Sequence, residues 1–92
     1  MKPTRTVVTV LGADHAGIVA KIAQTLADNS ANIDDIRQNV LDNIFSMTML
    51  VTLDEDEKSF NEVQDALSAA AEELSVQVKI QREDVFDFMY NV

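Results

Sequence analysis

Phe45, Met47, Met49, Val51 and Leu53 alternate with Ser46, Thr48, Leu50 and Thr52. A period of two sends successive side chains to opposite sides of an extended backbone, so this stretch is a strand with one apolar face that needs cover. Thr4 to Leu11 is rich in β-branched residues and apolar on both parities toward its end, as in a strand flanked by others. Val76, Val78 and Ile80 alternate with Gln77, Lys79 and Gln81, a half-buried strand with one wet face. Asn32 to Leu41 has mixed periodicity and reads as an edge strand, joined to the next by the turn formers Asp42 and Asn43. Two segments keep helical period instead. From Gly17 to about Asn29, Ile18, Val19, Ile22, Ala23 and Leu26 recur at three- and four-residue spacing. Ser59-Phe60-Asn61-Glu62 has the Ser-x-x-Glu form of a capping box, and Phe60, Val63, Leu67, Ala70, Ala71 and Leu74 follow on one stripe.

The order β-α-β-β-α-β predicts an α/β (α+β) sandwich of the split β-α-β, ferredoxin-like plan, an antiparallel four-stranded sheet with two helices on one face. Right-handed crossovers put the first and third strands in the middle and the second and fourth at the edges. The opposite face is left open, and the expectation is that it shows Met, Thr and Val-type side chains and favours dimers through it or by edge pairing. Residues 1–83 form this domain. Residues 84–92 form a C-terminal apolar tail with Val85, Phe86, Phe88, Met89, Tyr90 and Val92, expected to dock on its own or a neighbouring subunit.

Composition excludes several functions. Ninety-two residues make one domain, too small to hide much of its surface, so self-association, most simply a homodimer, is expected. The net charge of −9, with eleven of the sixteen acids in residues 54–92, repels phosphate backbones and anionic lipid, which argues against nucleic acid and membrane partners. The absence of cysteine removes disulfides and thiolate chemistry. The longest nearly apolar run, Ile44 to Leu53, is far short of a membrane span, and the start lacks the apolar core of a secretion signal, so the chain reads as soluble and cytoplasmic.

Gly12 and Gly17 have phosphate-loop spacing, but Ile18 and Val19 stand where Lys and Ser or Thr would be needed. His15 is the one histidine, so a metal there would have to be held with Asp14 from more than one subunit; the plainer alternative is an exposed loop residue with no task. Asp54-Glu55-Asp56-Glu57 lacks the glycine of a calcium loop and reads as a solvated turn. Met47 and Met49 read as core or interface filler. The loop Gly12 to Gly17 is different in kind. It ends a strand and opens a helix, which aims free main-chain amides and the positive end of a helix dipole at one spot suited to a carboxylate. Gly17 lets a ligand approach the main chain, and Asn32 can donate and accept hydrogen bonds at its other end. The structural alternative is that Gly17 only makes the turn and Asn32 only ends the helix.

Asp14-His15-Ala16-Gly17-Ile18-Val19, with Ala31-Asn32-Ile33 after the helix, resembles the pattern of ACT domains, small regulatory modules that bind amino acids. The stretches Asn32 to Ile36, Phe45 to Val51 and Ile80 to Phe86 with Met89-Tyr90 resemble more narrowly the stand-alone single-ACT proteins of the UPF0237 group. The resemblance implies an effector where the first loop and helix of one subunit meet the second strand of another. On this chain that points to Asp14, His15, Ala16, Gly17, Ile18, Asn32 and Ile33, with Ala16 standing where many members have proline. The expectation is therefore a non-catalytic regulatory module without cofactor that binds a small amino acid at a subunit interface and modulates a separate enzyme or regulator. The alternative is an interaction and oligomerisation module that takes no ligand.

Overall fold

The computed structural model describes residues 1–85. The expected tail, Asp84 to Val92, therefore lies outside the described residues from Phe86 onward. Six elements follow in the expected order: β1 (Pro3–Ala13), α1 (Ile18–Asp28), β2 (Asn32–Leu41), β3 (Ile44–Asp54), α2 (Phe60–Leu74) and β4 (Gln77–Arg82). The sheet order is β2-β3-β1-β4, every pairing antiparallel. The two strands with the strongest apolar patterning take the middle, as their composition requires.

Register explains which side is buried. Val8 faces Met49 and Val10 faces Met47, all four under the helices. α1 contributes Ile18, Ile22 and Leu26 to this core, and α2 contributes Val63, Leu67 and Ala70. Met47 and Met49 are 2% and 1% exposed, so the methionines fill the core, and the expectation that the open face shows methionine is corrected. That face carries the other parity of β3 instead, with Ser46, Thr48, Leu50 and Thr52. The reason is periodicity: Met47 and Met49 share the parity of Phe45 and Val51, and a sheet cannot bury one without the others.

Thr6 is on the buried parity as well, and its hydroxyl donates to the Val51 carbonyl at 2.9 Å, so no polar atom is stranded there. The capping box forms as the sequence implies. The Glu62 N–H donates to Ser59 Oγ at 3.2 Å and the Ser59 N–H to Glu62 Oε1 at 3.3 Å, and the Ser59 contacts hold the Glu62 carboxyl below its ordinary range.

The acidic run before α2 is not simply a solvated turn. Glu55 is only 13% exposed. It accepts a hydrogen bond from the Thr4 hydroxyl, one from Arg82 Nη1 at 3.3 Å and one from the Phe60 N–H at 3.2 Å. Arg82 in turn lies 4.9 Å from the centroid of the Phe60 ring. One carboxylate thus fastens the start of β1, the first turn of α2 and the end of β4. The Thr4 hydroxyl, then Arg82, then the Phe60 amide hold its pKa at about 2, against an ordinary 4.5, while desolvation pushes the other way. A carboxyl depressed in the folded state stabilises fully above its unfolded pKa and loses that contribution as pH falls through the folded one. Stability is therefore expected to drop between about pH 4.5 and about pH 2. Glu55→Gln should be less stable at neutral pH and show a flatter acid limb in urea midpoints taken across that range; parallel curves for the two proteins would remove Glu55 from the acid transition.

Candidate functional site

β1 runs two residues further than its composition suggests, so Gly12 is a strand residue paired with Phe45 and not part of the loop. An ideal Cβ on Gly12 would stand 2.8 Å from Val76 Cγ1. Gly12 is there for close approach to the α2–β4 link, not for turn geometry. The loop proper is Asp14 to Gly17. Its start is fixed by the Asp14 N–H, which donates to the Asn43 carbonyl at 2.8 Å and ties the loop to the β2–β3 turn.

Gly17 is the N-cap of α1 at φ 94°, and no side chain caps this helix. The first helical hydrogen bond runs from the Lys21 N–H to the Gly17 carbonyl at 3.0 Å. The amides of Ile18, Val19 and Ala20 stand ahead of it with no acceptor among the described residues. A Cβ built on Gly17 meets nothing within 4 Å. The helix start therefore offers three donors and the positive end of its dipole beside an exposed Gly17.

His15 has a task. Its Nε2 lies 2.8 Å from the Leu74 carbonyl oxygen and its Nδ1 3.0 Å from that of Ala16. A neutral imidazole has one N–H and donates to one of these at a time. The ring thus clasps the loop to the last turn of α2, where unpaired carbonyls accumulate. A metal or ligand contact by His15 has to displace this clasp, and among the described residues no three His, Asp or Glu side chains cluster to hold a metal. Ile18 is 2% exposed over the whole residue, so its side chain belongs to the core and not to a ligand surface. Ala16 is exposed.

Asn32 and Ile33 lie elsewhere. Asn32 pairs with Thr52, which pairs with Arg5, at the opposite end of β1 from the loop. Eight residues of strand between Arg5 and Ala13 measure about 26 Å, so one chain cannot close both groups on one amino acid. A ligand that meets both Gly17 and Asn32 therefore has to take them from two different copies. Asn32 Nδ2 donates to Asp34 Oδ1 at 2.6 Å. The Thr52 hydroxyl donates to Asp34 Oδ2, and Arg5 Nε lies 3.5 Å from the same oxygen. A register shift between Ile33 and Asp35 makes room for this, since the extra residue of a bulge re-aims its side chain. Thr52 first, then Asn32 and Arg5, hold the Asp34 carboxyl below its usual range against slight desolvation. Ile33 is half-buried against the core.

Residues 4–81 match the model of one family, described as an ACT domain. The chain belongs to the ACT domain family. It is 51% identical to the UPF0237 protein of Methanopyrus kandleri over 89 residues, 97% of this chain and 99% of that one. It is 46% identical to the UPF0237 protein of Methanocaldococcus jannaschii over the same shares. Among solved structures, an ACT domain protein from Streptococcus pneumoniae superposes with a TM-score of 0.78 at 33% identity, covering 91% of this chain and 94% of that one. ACT domains are commonly regulatory, ligand-binding and non-catalytic, which agrees with the UPF0237 relatives being single modules of this length. No helix among the described residues is long and apolar enough to cross a membrane.

Proposed function

We propose that this ACT protein is a non-catalytic regulatory module that binds a small amino acid where two copies meet and thereby changes its contact with a separate protein. The observation that carries this reading is the uncapped start of α1, where the Ile18, Val19 and Ala20 amides have no acceptor among the described residues and no side chain stands over Gly17. A carboxylate there satisfies donors that the chain leaves unpaired and lies at the favourable end of the dipole. Asp14, exposed at the start of the loop, supplies a negative charge for the ammonium group. The second strand of another copy brings Asn32, whose amide is already oriented by Asp34. Ligand spanning two subunits favours the assembled state by mass action.

Thermal unfolding in the presence of each of the twenty amino acids tests this. One or a few are expected to raise the midpoint, and Asn32→Ala should abolish the rise while shifting the unliganded midpoint little, since Asn32 is exposed. A flat panel overturns the ligand reading and leaves an interaction module.

A further inference from the structure

The loop between β1 and α1 is anchored at each end by the main chain, through the Asp14 N–H to the Asn43 carbonyl at 2.8 Å and the Lys21 N–H to the Gly17 carbonyl at 3.0 Å. Between these anchors its hydrogen bonds among the described residues come from one side chain. The His15 ring stands with Nδ1 3.0 Å from the Ala16 oxygen and Nε2 2.8 Å from the Leu74 oxygen. The Ala16 carbonyl shares a planar unit with the Gly17 N–H, and in a trans peptide the two point in opposite directions. An Ala16 oxygen turned toward the ring therefore turns the Gly17 N–H away from it. That N–H has no acceptor among the described residues.

Its direction matters for what the loop can hold. Gly17, at φ 94° and ψ −6°, is left-handed, and Ile18 begins the right-handed helix. Successive residues of opposite hand bring their N–H groups to one concave side, a nest for an anion. With the peptide as it stands, the Gly17, Ile18 and Val19 amides line that concavity. Turned over, the same peptide puts a carbonyl oxygen there, which repels a carboxylate. Glycine moves between the two hands at no steric cost, so the Gly17 backbone offers little resistance to the turn. The ring beside it does.

A neutral imidazole carries one N–H, and two carbonyl oxygens compete for it. With the proton on Nδ1 the ring holds the Ala16 carbonyl, and with it the nest. With the proton on Nε2 the ring is tied to the end of α2, and the Ala16 oxygen faces a bare nitrogen whose lone pair disfavours this orientation. We propose that His15 is a positioning residue: through Nδ1–H it fixes the Ala16–Gly17 peptide so that a donor, not an acceptor, faces the ligand, with the Leu74 carbonyl as the competing partner. It does so without touching the ligand. This role rests on the reading of the loop as a carboxylate receptor, although the direction of the peptide is measurable with no ligand present.

Asparagine offers an N–H donor where His15 has Nδ1 and none where it has Nε2, while the longer glutamine brings its donor to the Nε2 place. His15→Asn, His15→Gln and His15→Ala are compared in isotope-labelled full-length protein. The residual dipolar coupling of the Gly17 N–H, one of two glycine amides in the chain, reports the peptide direction without ligand. It is expected to fit the structure in the unsubstituted protein and in His15→Asn, and to be averaged down in His15→Gln and His15→Ala. Acetate and glycine are then titrated as probes and followed at the Gly17, Ile18 and Val19 amides. Their Kd is expected to rise about tenfold in His15→Ala and His15→Gln, as for the loss of one hydrogen bond, and to be restored in His15→Asn. An unchanged Gly17 coupling in His15→Ala overturns the inference, and so does a His15→Asn protein that binds as weakly as His15→Ala. Couplings that follow the expectation while neither probe binds the unsubstituted protein support the hold on the peptide and overturn the carboxylate reading alone.

Discussion

Replacing Gly12 by alanine is expected to lower stability by about 1–3 kcal/mol, the usual range for overpacking. For a domain of this size each kcal/mol moves the melting temperature by about 4–8 °C. The added methyl would stand 2.8 Å from Val76 Cγ1, 3.1 Å from its Cβ and 3.2 Å from its Cα. Val76 has little room to withdraw. Its N–H donates to the Ala71 carbonyl at 3.0 Å, and the preceding Ser75 is held in the left-handed region at φ 58° as the helix ends. Relief must come from moving β4 against β1, which costs ladder geometry. The double mutant Gly12→Ala, Val76→Ala removes the closest atom and should cost less than the two single changes added together. Urea unfolding of the four proteins checks this, and additive costs would mean the clash is not what Gly12 avoids.

Gly17→Val is expected to cost about 1–3 kcal/mol for a different reason. There is open space around a Cβ at this position, so crowding plays no part. The penalty is the backbone: φ 94° is a region that a β-branched residue rarely adopts. The loss therefore falls on folding as well as on ligand binding. Gly17→Asn separates the two effects, because asparagine tolerates left-handed angles far better. It should unfold close to the unsubstituted protein, yet place a side chain at the mouth of the α1 amides and weaken the amino-acid-induced rise in melting temperature. Equal stability of the valine and asparagine variants would show that the left-handed angle is not needed.

The loop shows how far residue types carry a site. Two glycines flanking small residues marked the connection between β1 and α1. The two glycines nevertheless do unlike things. One supplies a positive φ and the other an approach to Val76, and composition does not separate these. His15 was visible as a lone histidine, but its partner, the Leu74 carbonyl, is fifty-nine residues away and is a main-chain atom that no side-chain pattern announces. Glu55 was hidden inside an acidic run in which Asp56 and Glu57 are exposed. A hint was available in Thr4, Phe60 and Arg82, though only a fold brings them to one carboxylate.

Local periodicity decided the elements, their order and the core, because a strand of alternating parity or a helix with one stripe has a single way to hide its apolar side. The missing cysteines closed disulfide and thiolate chemistry to this chain. Tertiary structure alone decided that Asn32 and Gly17 lie at opposite ends of β1 and that His15 clasps α2. Each of these depends on register between strands distant in sequence, and register is set by packing across the whole sheet, not by any one segment of it.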